Sequence, residues 1–267
     1  MAAAGACLAL ATAFFAIPII ALFTEVPLRE VPGLLRDPAV RETLKVTART
    51  TAVANAIFLV VGTPAAYLLA TRRFRGRGTL ITVLELPLVL PPAVAGIALL
   101  AAFGAQGLLG TELQERGVVL PFSEWAVVMA VVFVASPFYL RQGIAAFGAV
   151  DPALTDAART LGASPTRTFW RVALPLAASG LLAGWVLAFA RGIGEFGATI
   201  VFAGNVRGQT QTLTLAVYEQ LETSFDLALA IGILLVVLSA GVLVLYKVVA
   251  GWTRSHSASP SPAASSR

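Results

Sequence analysis

Apolar residues in this chain are gathered into six blocks, most of them close to the roughly 20 residues that an α-helix needs to cross a bilayer. The blocks run from Ala6 to Phe23, Val46 to Ala70, Leu80 to Phe103, Trp125 to Leu140, Leu174 to Ile193 and Leu227 to Val249. The pattern predicts an all-α membrane protein with six transmembrane helices. The first block has the apolar character of a signal peptide. However, no Lys or Arg precedes Arg29, and a cleaved signal carries a basic start, so the block is read as a span.

Composition strengthens this reading. The chain has 267 residues, 58% hydrophobic and 12% charged, against about 25% charged in an average soluble domain. Its net charge of +5 would suggest a nucleic-acid partner in a soluble protein. Here the basic residues fall in short loops, and no nucleic acid is expected. Arg72, Arg73, Arg75 and Arg77 crowd the link between the second and third blocks. Arg141, Arg159, Arg167 and Arg171 lie between the fourth and fifth, and Lys247 and Arg254 close the last. With six spans these regions share one side, which the positive-inside rule makes cytoplasmic, and both termini lie there too. The opposite loops carry Glu25, Glu30, Asp37, Glu42, Glu112, Glu115, Glu124, Glu219, Glu222 and Asp226, although Arg29, Arg36, Arg41 and Lys45 run against the trend.

The inventory of reactive side chains is thin. Cys7 and His256 are single, so neither an internal disulfide nor a Cys/His metal cluster can be built, and no catalytic or metal-binding residue is expected. The chain has no Gly-rich phosphate loop ending in Lys-Ser/Thr, so any nucleotide belongs to another chain. Residues 1–254 read as one polytopic domain, and the Ser/Pro/Ala-rich stretch 255–267 reads as a disordered cytoplasmic tail.

The loop at about 148–173 is the most patterned polar segment. Asp151 is a good N-cap and Pro152 suits the first helical position. Gly162 suits the left-handed turn past the helix end, and Ser164-Pro165 starts again. Two short helices joined by a glycine turn are expected. Leu154, Ala157, Ala158 and Leu161 share a face of the first. That face either lies on lipid headgroups or docks a partner; a headgroup helix would carry a strongly basic polar face, which this one lacks.

The sequence here resembles the permeases of binding-protein-dependent ABC importers. Their loop pattern is matched at the same spacing by Asp156-Ala157-Ala158, Gly162, Val172 and Leu174-Pro175, with Asp for Glu and Val for Ile. The resemblance implies a type I ABC importer permease fold in which this loop is the coupling helix. Asp156, Ala157, Ala158, Gly162, Leu174 and Pro175 would then engage a separate ATPase that holds ATP and Mg. Further strings resemble the molybdate and tungstate branch, which is close to the sulfate branch. They are Glu85 to Gly96, Arg191 to Ile200 with Glu195-Phe196-Gly197-Ala198-Thr199 inside it, Ala203-Gly204-Asn205, and Gln209 to Leu213. The resemblance spans about Thr43 to Tyr246 and implies a permease homodimer, ABC ATPase subunits and a periplasmic or lipid-anchored oxyanion-binding protein. It implies a place in the inner membrane, among lipid, as the subunit that moves molybdate or tungstate rather than as an enzyme. A sulfate or thiosulfate importer is the near alternative.

The residues themselves leave several roles open. Pro87, Pro91 and Pro92 interrupt the third block, either as a packing kink or where backbone lines a water-filled interior. Gly180, Gly184, Ala188 and Gly192 make a narrow small-residue face for close helix packing, within the bundle or against a second copy. Arg191 and Glu195, four residues apart, either neutralise each other or flank an oxyanion route. Arg191, Gly194, Glu195, Gly197, Thr199, Pro91 and Pro92 are the candidates for that route or its gate, since an oxyanion seeks hydrogen-bond donors and weak positive potential. Glu85 has no partner that the sequence assigns, and Asn55 is either a helix–helix hydrogen bond or a pore group. A secondary anion transporter would use repeats and midplane charges, which are scarce here, and a membrane enzyme would need a constellation of reactive side chains.

Overall fold

The computed structural model describes residues 1–257, and every regular element among them is helical. Helix α1 (Ala2–Glu25) is followed by the single turn α2 (Val31–Leu34) and by α3 (Pro38–Ile57), which continues through a wide π turn, Phe58–Gly62, into α4 (Thr63–Thr71). Helix α5 (Arg77–Glu85) tightens into a 3-10 turn at Leu86–Leu88, and α6 (Pro92–Phe103) follows. Then come α7 (Gly110–Glu115), α8 (Glu124–Gly148), α9 (Pro152–Thr160) and α10 (Pro165–Thr168), which runs through a second π turn, Phe169–Ala173, into α11 (Leu174–Ile193). The short α12 (Gly197–Phe202), α13 (Leu213–Thr223) and α14 (Phe225–Ser257) complete the chain. The stretch expected as a disordered tail lies, from residue 258 on, outside the described residues.

Five helices are long and apolar enough to cross a membrane, and a sixth crossing is present if the broken pair α5–α6 counts as one. The five run over Ala4–Glu25, Pro38–Thr71, Glu124–Gly148, Pro165–Ile193 and Phe225–Val248. Most are longer than the apolar blocks alone suggest. Asp37 starts the second one early by accepting the Ala39 N–H at 2.8 Å, so polar turns extend the helix beyond its apolar stretch.

One expectation holds and one needs correction. The third block is interrupted at its prolines, as expected, into two helices. Pro91 sits in extended geometry (φ −55°, ψ 135°) and Pro92 opens a new helix, because prolines supply no N–H to continue the old one. The second short helix expected in the 148–173 loop, by contrast, is not separate from the fifth span. It begins at the expected Ser164 cap and then runs on to Ile193. No breaker stands between Thr168 and Leu174, and the ring of Pro175 is accommodated by the wide turn just before it. The same arrangement occurs at the other π turn, which ends two residues before Pro64.

The chain divides into two compact units. One comprises residues 1–54, 90–134 and 192–238; among the described residues the other comprises 55–89, 135–191 and 239–257. The first has its core where α6, α8 and α12 meet, through Ala95, Leu99, Val127, Ala130, Ala198 and Phe202. A smaller cluster joins Val40, Leu213, Ala216 and Ile231. In the second unit Phe58 stacks on Tyr139 at 6.3 Å, and the Tyr139 and Thr63 hydroxyls bond at 2.6 Å. The small-residue face of α11 is used there. A Cβ on Gly180 would stand 2.5 Å from the Ala146 Cβ, and one on Gly184 would stand 2.9 Å from the Gln142 Cβ. At these two positions the face packs on α8 of the same chain.

Candidate functional site

The loop around α9 is built from local signals that the sequence carries. Asp151 Oδ1 accepts the Ala153 N–H at 2.9 Å, which satisfies a donor at the helix start. At the other end Gly162 adopts φ +84°, and the Ala163 N–H reaches back to the Ala158 carbonyl at 3.0 Å. That bond closes the helix and turns the chain sharply. Ser164 Oγ then accepts the Arg167 N–H at 3.3 Å and starts α10.

The loop presents its apolar face outward. Leu161 is 88% exposed and Leu154 48%, and every residue of α9 is exposed or half-buried. A helix with an uncovered apolar face is made to bury it against something else. Asp156 and Ala157 stand on this exposed helix, with Ala158 half-buried beside them, and Arg159 approaches Asp156 at 4.0 Å. Leu174 and Pro175 open α11, just past the second π turn.

Of the candidates for a route or gate, Pro92, Gly197 and Thr199 lie on the two helices of the α6–α12 junction, with Pro91 and Glu195 just before them. Helix α12 lies so close to α6 that a Cβ on Gly96 would stand 2.7 Å from the Val201 Cβ and 2.8 Å from the Ala198 carbonyl oxygen. A Cβ on Gly197 would stand 2.6 Å from the Pro92 Cβ. Pro91 and Pro92 are exposed at the start of α6 and Gly194 is exposed just before α12, whereas Glu195 and Thr199 are buried. Glu195 has a structural use. Its Oε1 accepts the Ala198 N–H at 2.7 Å in the first turn of α12, where a negative charge suits the helix dipole. Its backbone carbonyl accepts the Thr214 hydroxyl at 2.8 Å, which ties α13 to the same junction. The Ala198 amide is therefore occupied by this carboxylate. Arg191 is half-buried in the last turn of α11.

A second polar cluster joins two of the quoted strings to a residue outside them, Glu219. Asn205 Nδ2 donates to Glu219 Oε2 at 3.0 Å, and Arg207 Nε donates to Oε1 at 3.0 Å. Gln211 donates to the same carboxylate and accepts from the Thr43 hydroxyl at 3.0 Å. The Leu213 N–H donates to the Thr47 hydroxyl at 2.9 Å, so segment 205–213 is fastened to both α3 and α13. The string Gln209 to Leu213 was legible as a motif, but Glu219 carried no signal of its own. Glu85 also finds a partner, Arg141 at 3.9 Å.

The hydrogen bond from Arg207, outweighing partial burial, holds the Glu219 carboxyl below its ordinary value. A depressed carboxylate contributes stability that is complete above the ordinary carboxylate range and is lost as pH falls through the lowered value. Thermal unfolding of the purified chain is therefore expected to decline over that acidic window, and Glu219→Gln is expected to flatten the decline. An unchanged pH profile in the variant would remove Glu219 from the stabilising network.

Comparison with known proteins follows the same lines. Residues 62–255 match the family described as binding-protein-dependent transport system inner membrane component. The molybdenum transport system permease protein ModB of Mycobacterium tuberculosis is 43% identical over 230 residues, covering 85% of this chain and 86% of that one. ModB of Escherichia coli K12 is 40% identical, covering 71% and 83%. The sulfate transport system permease protein CysW of Synechococcus elongatus is 35% identical, covering 74% and 71%. Among solved structures, a chain of a bacterial alginate ABC transporter matches with TM-score 0.73 over 90% of this chain and 91% of that one, at 17% identity. A chain of the MetNI methionine ABC transporter matches with TM-score 0.59 over 78% and 93%, at 18% identity. The fold is thus that of ABC importer permeases, and the family-matched segment 62–255 contains α9, the second π turn and the α6–α12 junction. The chain belongs to the family of binding-protein-dependent transport system inner membrane components and is a multi-pass membrane protein.

Proposed function

We propose that this chain is the permease of an ATP-driven importer that moves a tetrahedral oxyanion, molybdate or tungstate, across the inner membrane. The observation that carries the substrate reading is the identity of 43% to a molybdenum permease along almost the full length of both chains. The exposed apolar face of α9 supports the coupling role. It gives a separate ATPase a surface to hold, through Asp156, Ala157, Ala158 and the turn at Gly162. Two copies of the chain enclose the route, and a periplasmic or lipid-anchored binding protein delivers the anion. ATP and Mg stay on the ATPase, and α9 faces the cytoplasm with both termini.

The gate in this reading is the α6–α12 junction, with Pro91, Pro92, Gly194 and Gly197 at its surface and Glu195 and Thr199 inside. Arg191, in the last turn of α11, belongs to the same candidate set and brings positive charge to it. Glu195 serves by fixing α12 rather than by meeting the anion, since a carboxylate would repel it.

The test is uptake of labelled molybdate by liposomes holding the permease, its ATPase and its binding protein. Uptake is expected to require ATP, and unlabelled tungstate is expected to compete while sulfate does not. Competition by sulfate would favour the related sulfate reading, for which the 35% identity to CysW speaks. Uptake driven by an ion gradient without ATP would defeat the importer reading.

A further inference from the structure

A cavity of about 430 Å³ opens between the end of α4 and the inner side of α9. Its floor is aromatic: Tyr67 and Phe147 lie 5.2 Å apart, ring to ring, and Phe169 backs Tyr67 at 4.9 Å. Its rim is basic, formed by Arg72, Arg73 and Arg159, with Asp156 as the one carboxylate. The arginines of this loop have different uses. Arg77 is occupied, its Nε donating to the Leu69 carbonyl at 2.6 Å and capping α4. Arg72 leaves the helix in extended geometry (φ −102°, ψ 136°). Among the described residues neither Arg72 nor Arg73 forms an ion pair. Arg159 has only the long contact to Asp156, so three guanidiniums face one carboxylate.

Position gives the second argument. Two apolar spans end at this cavity, one at Thr71 and one at Gly148, and both residues line it. The cavity therefore sits at one end of two membrane-crossing helices, with aromatic side chains on the helix side and guanidiniums on the loop side. Planar guanidinium forks fit phosphate oxygens with paired hydrogen bonds. Like charges crowded at a rim are eased by a bound anion.

We propose that this cavity binds a phosphate group, presented by an anionic phospholipid headgroup or as the free ion, through Arg72, Arg73 and Arg159. The inference is independent of the transported substrate, and its test needs neither ATP nor uptake. The purified chain is exchanged into micelles doped with phosphatidylglycerol or phosphatidylcholine, and retained lipid is counted by native mass spectrometry. Separately, inorganic phosphate is added to lipid-free micelles and followed by phosphorus NMR line broadening.

Preferential retention of phosphatidylglycerol is expected. In the Arg72→Gln/Arg73→Gln variant it is expected to weaken by about thirtyfold, since a basic residue at an anionic surface contributes about 1 kcal/mol, or about fivefold. Arg75→Gln, on the same loop but outside the cavity, should match the parent. Broadening of phosphate that the double variant abolishes, with both lipids retained equally, would assign the site to the free ion. Two results overturn the proposal: a double variant indistinguishable from the parent with both probes, or an Arg75→Gln variant that weakens as much. A melting temperature equal to the parent's shows that each variant is folded.

Discussion

Gly96→Val is expected to abolish accumulation of folded chain, whereas Gly78→Ala is expected to leave it intact or improve it. Both glycines lie inside helices, so propensity alone would make both substitutions favourable by up to about 1 kcal/mol. Space separates them. A Cβ on Gly78 meets nothing within 4 Å. A Cβ on Gly96 meets the Val201 Cβ at 2.7 Å, the Ala198 carbonyl oxygen at 2.8 Å and the Ala198 Cα at 3.0 Å. Two of these atoms are backbone and cannot turn aside, so α12 itself would have to move. Overpacking of a close contact costs about 1–3 kcal/mol or more, and valine adds two methyl groups to the clash. Because the junction also holds Glu195 and, through Thr214, α13, the displacement would spread to their hydrogen bonds. Detergent-solubilised yield and melting temperature read the effect. A Gly96→Val chain as stable as the parent would mean that α6 and α12 are not in this contact.

Gly162→Pro is expected to leave the fold intact and to abolish ATP-driven uptake. Proline fixes φ near about −65°, whereas Gly162 sits at +84° and donates its N–H to the Arg159 carbonyl at 2.9 Å. The substitution removes both the turn and the bond, and α9 loses its closure. The disruption stays local, because α9 contributes no buried residue: the end of α9 opens while the core helices keep their packing. Gly162→Ala meets open space and bears only the left-handed strain of about 1–2 kcal/mol, so it should retain partial uptake. The graded order parent, alanine, proline, at unchanged melting temperature, is the signature of a coupling element. Full uptake in the proline variant would deprive α9 of that role.

Much of this fold was legible from residue order because membranes enforce long apolar runs. The caps of α9 and α10 were equally legible, since Asp151-Pro152, Gly162 and Ser164-Pro165 act through bonds to near neighbours. What escaped was of two kinds. Span lengths were underestimated where polar residues continue an apolar helix, as from Pro38 to Lys45. Long-range polar contacts were invisible, because nothing in the sequence joins Thr43 to Gln211 or Arg141 to Glu85. The Glu195 bond to the Ala198 N–H, three residues ahead, is a local feature of the kind that caps a helix, and the charge of Glu195 in the sequence draws attention to Arg191 instead.

The wide turn before Pro64 also alters how this stretch of sequence should be read. Thr43, Thr47, Thr50, Ala54 and Phe58 are buried at regular α-helical intervals, and continuing that rhythm would bury positions near 61 and 65. Instead Val61 is exposed and Thr63 and Ala66 are buried, a slip of about one residue. One extra residue in a helix advances its phase by about 100°. The π turn is thus a phase shifter, and any helical wheel drawn straight through residues 38–71 assigns the far end to the wrong face.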